Sequence, residues 1–501
     1  MSQEKLNQLK VLLGEISDLV GIEALLGWDQ QTYMPKAGAE DRGSQLSTLA
    51  KINHDKMTSE EIGRLLDDLK SYEAQLEADS DDARLIKIAR RNYEKQTKVS
   101  SAWVGEFAKA TTIAQSVWEK ARAESDFSLF RPELEHIMEL RLAYAEFFKP
   151  YDHIYDPMLD DFEPGLKTAE VKDIFSKLRP KQVELIRQIA EKPEIDDSFV
   201  YLNYSEQGQW DFGVKVLNDF GFDWNRGRQD KSAHPFTTTF GIDDVRVTTR
   251  FVPDLGTSSL FSTMHEGGHA LYELGFNHAL KRTPLASGAS MAVHESQSRL
   301  WENLVGRSEA FWSHYYSTYQ DTFRSILGNV SREQFYRGIN KVKPSFIRVE
   351  ADEATYNLHI MLRLELEIAM LEGKLAVKDL PEAWNARMEE YLGIVPPNDT
   401  KGVLQDVHWS AGLVGYFPTY ALGNLVSAQL WDCIQRDLPN LEDQIGAGKF
   451  DELLAWLREN IHRHGAKFEP QELVQRVTGS KIDPEPYVRY LTKKFTRIYD
   501  L

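Results

Sequence analysis

The sequence predicts a mainly α-helical protein with one small β-sheet. Apolar residues recur every three or four positions through most of the 501 residues, which is the spacing of an amphipathic helix. Glycine and proline fall mostly between these stretches, where they end helices. The clearest periodic segments are 2–27, 58–78, 81–124, 131–149, 168–192 and 207–220.

Only residues 236–251 depart from the helical spacing. They are rich in threonine, valine and phenylalanine, and turn-forming residues lie at 241–244. We therefore predict a short β-hairpin. It is either a structural ribbon or an exposed edge strand that holds an extended peptide by main-chain pairing.

Charge and cysteine content exclude several classes of protein. The 59 lysines and arginines face 77 acidic residues, a net charge of −18, which argues against binding nucleic acid or an anionic membrane surface. The single cysteine, Cys433, allows no intrachain disulfide and fits a reducing compartment. The first 20 residues lack a signal-peptide pattern, and no segment is apolar enough to span a membrane, so we expect a cytoplasmic protein.

The segment His265-Glu266-Gly-Gly-His269 carries the strongest chemical signal. On a helix, residues four positions apart share one face, so the two imidazoles can bind the same metal ion. Glu266 flanks that ion and can act as the general base that takes a proton from metal-bound water. The glycines at 267 and 268 permit close approach of another element or of substrate.

A third metal ligand is expected downstream, at His294 or Glu295. Adjacent helical residues point about 100° apart, so only one of the two reaches a given metal. A catalytic zinc site with two histidines and one glutamate favours Glu295, which leaves His294 a second role or a structural one. The metzincin pattern is excluded because Tyr272 and Gly275 stand where it needs glycine and histidine.

Further motifs give the chain a resemblance to a known family. They lie at residues 28–30, 34–35, 234–236, 244–248, 294–297, 347–352, 402–409 and 415–420. With them the sequence resembles the metallocarboxypeptidases of the carboxypeptidase Taq type, nearly from end to end.

The resemblance implies a large, two-lobed helical unit with a deep groove, similar to neurolysin and angiotensin-converting enzyme, and a small sheet beside a zinc site. It implies release of single C-terminal residues with broad specificity, with terminal proline disfavoured. Zn²⁺ would be the cofactor, with Co²⁺ able to substitute, and the protein would be a homodimer. His265, His269 and Glu295 would be the ligands and Glu266 the base. We expect one catalytic unit, 1–501, in which 1–150 form a helical lid and 151–501 the zinc-bearing body.

A carboxypeptidase must also bind the free carboxylate of its substrate. Arginine suits this because its planar guanidinium pairs with a carboxylate through two hydrogen bonds. Arg348 is the first choice and Arg246 the second, although either could be an ordinary ion pair. The remaining predicted site residues are Tyr420 and His408 as catalytic groups near the oxyanion, and Tyr416, Gln405, His234 and His294 as substrate contacts. Asp406 could orient a ligand histidine, and core packing is the alternative for the aromatic residues.

Two other functions are compatible with part of this pattern. A zinc oligoendopeptidase of similar helical shape would share the metal motif but would not need an arginine for a terminal carboxylate. A non-catalytic scaffold with structural zinc is less well supported, because structural sites usually close all four positions with cysteine or histidine.

Overall fold

The computed structural model describes residues 2–501, which form twenty-one α-helices and three β-strands. The helices are α1 (Ser2–Thr32), α2 (Ala39–Met57), α3 (Glu60–Glu73), α4 (Asp81–Lys98), α5 (Ser101–Glu124), α6 (Phe127–Glu146), α7 (Asp156–Leu159), α8 (Thr168–Ala190), α9 (Glu206–Phe220), α10 (Ser258–Leu274), α11 (Met291–Arg299), α12 (Glu309–Thr322), α13 (Arg324–Leu327), α14 (Arg332–Ile339), α15 (Tyr356–Leu371), α16 (Leu380–Leu392), α17 (Pro418–Asp437), α18 (Leu441–Gly446), α19 (Asp451–Asn460), α20 (Pro470–Thr478) and α21 (Glu485–Tyr499). A π-helical turn, Leu300–Val305, continues α11. The mainly helical fold predicted from the sequence is confirmed.

The helices begin where local capping groups allow it. The predicted helix over 81–124 is two helices, because Ser100 accepts a hydrogen bond from the Trp103 N–H and caps a new helix. Asp126 likewise starts α6 earlier than the predicted residue 131, by accepting from the Ser128 N–H. Helix α2 was absent from the predicted set. It buries no residue, so its apolar stripe is weak.

The small sheet consists of β1 (Gly227–Lys231), β2 (Thr237–Gly241) and β3 (Asp244–Thr249). Strands β2 and β3 form the predicted antiparallel hairpin, and β1 adds to β3 in parallel, in the order β1–β3–β2. Strand β1 was not predicted because Gly-Arg-Gln-Asp-Lys contains no β-forming residue. Val245 and Val247 of β3 pack against Ala270 and Leu274 of α10, so this face of the sheet rests on that helix.

Apolar packing divides the chain into a large body and a small N-terminal unit. The buried leucines and isoleucines of α1, α3 and α4 form their own cluster, which meets the body at Leu280 and Leu285. Helices α5 and α6 instead contribute to the main core. The boundary in the apolar packing therefore falls between α4 and α5, near residue 100.

Ion pairs hold α4 against the body. Four basic residues on one side of the helix meet acidic residues that lie far away in the sequence. The pairs are Arg84–Glu472 at 2.8 Å, Lys87–Glu469 at 3.3 Å, Arg91–Asp160 at 2.7 Å and Lys95–Asp160 at 2.8 Å. Because this contact is ionic, high salt should weaken it, whereas an apolar contact of the same extent would not be screened.

Across residues 2–501, no helix combines the length and the continuous apolar character that crossing a bilayer requires.

Candidate active site

Helices α10 and α11 come into contact at Gly268, one of two adjacent glycines of α10. A Cβ on Gly268 would lie only 2.7 Å from the Gln297 carbonyl oxygen, and one on Gly267 would overlap the Leu217 side chain. The two glycines therefore let α10 lie against the backbone of α11 on one side and against α9 on the other. The predicted close approach of another element is confirmed.

This contact brings together three side chains that could hold a metal ion. Glu295 Oε2 lies 3.6 Å from Nε2 of His265 and 3.4 Å from Nε2 of His269. The three ligand atoms all lie within 4.8 Å of one another. A tetrahedral ion about 2.1 Å from each ligand would separate two ligands by about 3.4 Å, so the donor set fits a divalent metal ion.

The second oxygen of Glu295 is bound within the chain. Its Oε1 accepts from the Arg299 guanidinium at 2.7 Å. Burial acts to raise the pKa of Glu295, but Arg299 and the two histidines outweigh burial and hold it well below its ordinary value. Glu295 is therefore ionised at neutral pH, as a metal ligand must be.

Glu302 orients His265. It lies in the π-helical turn, and its Oε2 contacts Nδ1 of His265 at 2.9 Å while pairing with Arg299 at 3.1 Å. Burial opposes ionisation of Glu302, but Arg299 outweighs it and lowers the pKa to about 2. A carboxylate on Nδ1 leaves Nε2 of His265 free to face the ligand site. Glu302 was not among the predicted residues, although its position seven residues after Glu295 places it on the same helical face.

His269 is held by a second histidine. Its Nδ1 lies 2.6 Å from Nδ1 of His294, and Nε2 of His294 lies 2.7 Å from the Glu273 carboxylate. Burial lowers the pKa of His269 to about 3, so its ring is neutral, the form that binds metals. Both ring nitrogens of His294 have partners within the chain. The geometry thus favours a positioning role for His294 in place of the predicted substrate contact.

Glu266, which follows His265 on α10, is buried. It is 7% exposed, and its Oε2 accepts a hydrogen bond from the Thr237 hydroxyl at 2.7 Å. Burial raises the pKa of Glu266, and it outweighs the opposing effects of His265 and Thr237. Thr237 lies on β2, so the hairpin predicted from the sequence contacts the predicted base directly.

Arg348 is buried, at 6% exposure, and Tyr356 links it to the residues around Glu295. Its guanidinium pairs with Asp406 through Nε and Nη2, each at 3.0 Å, and donates to the Tyr356 hydroxyl at 2.8 Å. The Tyr356 ring also lies 4.5 Å from the guanidinium of Arg299, which holds Glu295. Of the five guanidinium N–H groups of Arg348, these bonds use three, and two have no hydrogen-bond partner among residues 2–501.

The loop before α17 supports Arg348. The Gln405 carbonyl oxygen accepts from the Arg348 backbone N–H and from Arg363, both at 2.8 Å, and its amide group donates to the Phe346 carbonyl at 3.0 Å. The side-chain amide of Gln405 is thus already hydrogen-bonded within the chain. The sequence predicts a substrate contact for it instead. Asp406 pairs with Arg348 and Arg363, and it does not hold a ligand histidine.

His408 and the tyrosines of α17 lie together. Nε2 of His408 is 3.1 Å from the Tyr420 hydroxyl, and the Tyr416 and Tyr420 rings are 5.3 Å apart. Burial lowers the pKa of His408 to about 3 and raises that of Tyr416 to about 12, and it raises the pKa of Tyr420 well above its ordinary value. The phenols are therefore protonated hydrogen-bond donors at neutral pH, and His408 is neutral.

Gly423 brings these tyrosines to the metal ligands. A Cβ at Gly423 would lie 2.6 Å from Cβ and Cγ of Glu295, so α17 touches α11 at the ligand itself. Tyr420 lies one turn earlier on α17, on the same side of the helix. Tyr420 thus lies on the side of α17 that faces the ligands, and His408 contacts its hydroxyl group. The guanidinium of Arg348 lies 4.8 Å from the Tyr420 ring.

Comparison with known proteins identifies the family of this chain. The sequence model of the family described as carboxypeptidase Taq (M32) metallopeptidase matches residues 8–495. The chain belongs to this family. Thermostable carboxypeptidase 1 of Thermus thermophilus is 40% identical over 497 residues, 97% of each chain. Carboxypeptidase 1 of Bacillus subtilis is 38% identical over 489 residues, again 97% of each.

Solved structures of M32 carboxypeptidases share the fold. The enzyme from Deinococcus radiodurans R1 superimposes with a TM-score of 0.97 at 42% identity, over 99% of this chain and 100% of that one. Trypanosoma cruzi metallocarboxypeptidase 1 gives a TM-score of 0.93 at 30% identity, over 99% of each chain. The resemblance stated from the sequence motifs is confirmed, and the protein is a metallocarboxypeptidase.

Two predicted residues of this M32 chain lie elsewhere. Arg246 is on the face of the sheet opposite α10, between the Trp28 ring at 4.4 Å and the Phe240 ring at 4.5 Å. It pairs with Asp244 through two hydrogen bonds of 3.0 and 3.1 Å. His234 is exposed between β1 and β2. Neither contacts the group formed by Arg348, Tyr420 and the ligands, so Arg348 is the better candidate for binding a carboxylate.

Proposed function

We propose that this chain is a zinc-dependent carboxypeptidase that releases single residues from the C-termini of peptides. The observation that carries the proposal is the buried Arg348, with two N–H groups free, 4.8 Å from the ring of Tyr420, whose helix touches Glu295 at Gly423. A fixed cation next to the reacting groups selects a free carboxylate, and an endopeptidase has no need of it.

His265, His269 and Glu295 would hold Zn²⁺, and we expect Co²⁺ to substitute. When bound, the ion would supply a Lewis acid that polarises the scissile carbonyl and lowers the pKa of a water molecule. The neutral His269 and the ionised Glu295 support this assignment, because each is already in the protonation state that metal binding needs.

Glu266 would move the proton. Its carboxylate takes a proton from the attacking water and then gives it to the nitrogen of the leaving residue. Thr237 fixes Oε2 of Glu266 by its hydroxyl hydrogen bond, which leaves Oε1 for water. The raised pKa of Glu266 brings its basicity closer to that of a general base at neutral pH.

Tyr420 and His408 would stabilise the oxyanion. The Tyr420 phenol stays protonated and can donate to the carbonyl oxygen as negative charge develops there. His408 lies 3.1 Å from the phenol oxygen and orients it. Tyr416, whose ring packs against that of Tyr420, is the weaker candidate for the same role.

The substrate would lie along β2. This strand is an edge of the sheet, and its Thr237 contacts the base, so an extended peptide paired with β2 would run past Glu266. Arg348 would bind the terminal carboxylate, with Arg246 and His234 as second choices nearer the sheet. The resemblance to the family supports broad side-chain tolerance with terminal proline disfavoured.

The remaining proposals concern the whole molecule. We expect a cytoplasmic homodimer. The lone cysteine supports a reducing compartment, and the resemblance to the family supports the dimer. The N-terminal helices would form a lid over the site, and the separate apolar cluster of α1, α3 and α4 supports its movement as a unit.

Mass spectrometry of a peptide mixture incubated with the protein tests this function. A ladder of one-residue losses from C-termini, abolished by a chelator and restored by Zn²⁺, is the expected result. Internal cleavage, or equal cleavage of C-terminally amidated peptides, would instead identify the oligoendopeptidase alternative.

A further inference from the structure

The two ligand histidines are held in different ways. His265 contacts a carboxylate directly, that of Glu302, at 2.9 Å. His269 contacts the ring of His294 at 2.6 Å, and only that ring reaches a carboxylate, Glu273, at 2.7 Å. A carboxylate, carbonyl or water is the usual partner of a metal-binding histidine. His269 therefore departs from this pattern, because the imidazole of His294 stands between it and the Glu273 carboxylate.

The three groups permit one arrangement of protons when His269 serves as a ligand. His269 presents the lone pair of Nε2 to the ligand site, so its remaining ring proton is on Nδ1. That N–H donates to Nδ1 of His294, which must then be unprotonated. The ring proton of His294 is then on Nε2 and donates to Glu273 Oε1. Glu273 thus selects the tautomer of His294, and His294 selects that of His269.

The same contacts fix one ligand helix against the other. His269 and Glu273 are one turn apart on α10, whereas His294 precedes the ligand Glu295 on α11. Neighbouring helical side chains point about 100° apart. The contacts of His294 with His269 and Glu273 cross from α11 to α10, so α11 cannot rotate about its axis without breaking them.

Neighbouring residues confine the His294 ring on two further sides. A Cβ on Gly288 would lie 2.8 Å from Cδ2 of His294, so the loop before α11 lies directly against the ring. On another side, the Tyr272 ring packs edge-on at 5.2 Å. The ring is therefore confined between α10 and this loop.

We propose that His294 and Glu273 are positioning residues that preorganise the three metal ligands and thereby set the affinity of the site for its metal. This inference rests on the proposed metal site. It assigns to His294 and Glu273 no contact with substrate.

Zinc binding to the metal-free protein tests the proposal through four variants. His294→Phe keeps a ring and removes the acceptor, and Glu273→Leu removes the far carboxylate. His294→Asn restores an acceptor oxygen near the position of Nδ1 but not the link to Glu273. His278→Phe is the matched control, because this histidine follows α10 and its side chain is 62% exposed.

Competition with a chromophoric chelator measures the Zn²⁺ dissociation constant of each folded variant. We expect His294→Phe to bind Zn²⁺ about 10- to 100-fold more weakly than the wild type. His294→Asn should recover part of that loss, Glu273→Leu should weaken binding by at least about threefold, and His278→Phe should not differ from the wild type. Thermal melts of the metal-free forms identify any variant that fails to fold, and the other His294 variant then decides.

Unchanged Zn²⁺ affinity in a folded His294 variant would overturn the proposal. So would an equal loss in His278→Phe, because the effect would then not belong to these contacts. If the wild type binds Zn²⁺ and cleaves C-termini, and His294→Phe binds Zn²⁺ equally well, only this inference is refuted. A wild type that binds no Zn²⁺ refutes the proposed metal site as well.

Discussion

Replacing Arg348 by alanine should remove selectivity for a free C-terminus. The two N–H groups that Arg348 keeps free match the two oxygens of a carboxylate. Each hydrogen bond to a charged group contributes about 1.5–3 kcal/mol. Their loss should cost about 3–6 kcal/mol of transition-state stabilisation, which is a decrease in kcat/KM of about 10²- to 10⁴-fold.

The fold should survive this substitution. Asp406 keeps its pair with Arg363 at 2.6 Å, so no buried carboxylate is left without a counter-charge. Zinc content and melting temperature should therefore stay close to those of the wild type. Arg348→Lys should be impaired as well, because an ammonium lacks the planar pair of donors.

The assay compares kcat/KM for one N-terminally blocked peptide with a free and with an amidated C-terminus. The wild type should prefer the free form strongly, and Arg348→Ala should lose that preference. Arg246→Ala makes the same change of charge on the outer face of the sheet and should lower kcat/KM by less than about tenfold. A large loss in Arg246→Ala together with a small one in Arg348→Ala would refute the assignment and reverse the two roles.

Three further predictions follow from the site and its surroundings. Glu266→Gln should keep zinc but lose hydrolysis by several orders of magnitude, as measured by metal analysis and initial rates; retained turnover would reject Glu266 as the base. Gly423→Ala places a methyl group 2.6 Å from Glu295, so this substitution should destabilise the protein by about 1–3 kcal/mol and lower its zinc content. A zinc content equal to that of the wild type would show that α17 can move aside. Arg91→Ala breaks the 2.7 Å pair with Asp160 and should increase proteolysis between α4 and α5 at low salt, with a smaller difference from the wild type at high salt. If the variant and the wild type are cleaved at the same rate at every salt concentration, this pair does not hold the N-terminal helices.

The sequence alone predicted the helical class, the hairpin and the metal-binding group because each has a local signal. Helical spacing of apolar residues, a run of β-forming residues and the His-Glu-x-x-His segment are all contained within about 20 residues. Strand β1 and helix α2 lack such signals. The first contains no β-forming residue, and the second buries nothing, so only their tertiary contacts identify them.

Roles that depend on distant partners were harder to predict. Gln405 and His294 lie in motifs of the family, yet their hydrogen bonds are to Arg348, to Arg363 and to Glu273, which are distant in the sequence. A sequence identifies a polar residue near a site but not whether its donors and acceptors are already used. Thr237 carries no signal either, because its contact with the base depends on how β2 lies against α10.

Titration of the metal-free protein with Zn²⁺ tests the central claim most directly, with release of the C-terminal residue of a peptide followed by mass spectrometry. We predict that the rate rises linearly to one Zn²⁺ per chain and then stays constant, and that Glu295→Ala shows neither tight binding nor release. Full release without metal, or a wild-type rate in Glu295→Ala, would contradict the assignment of His265, His269 and Glu295 as the catalytic metal site.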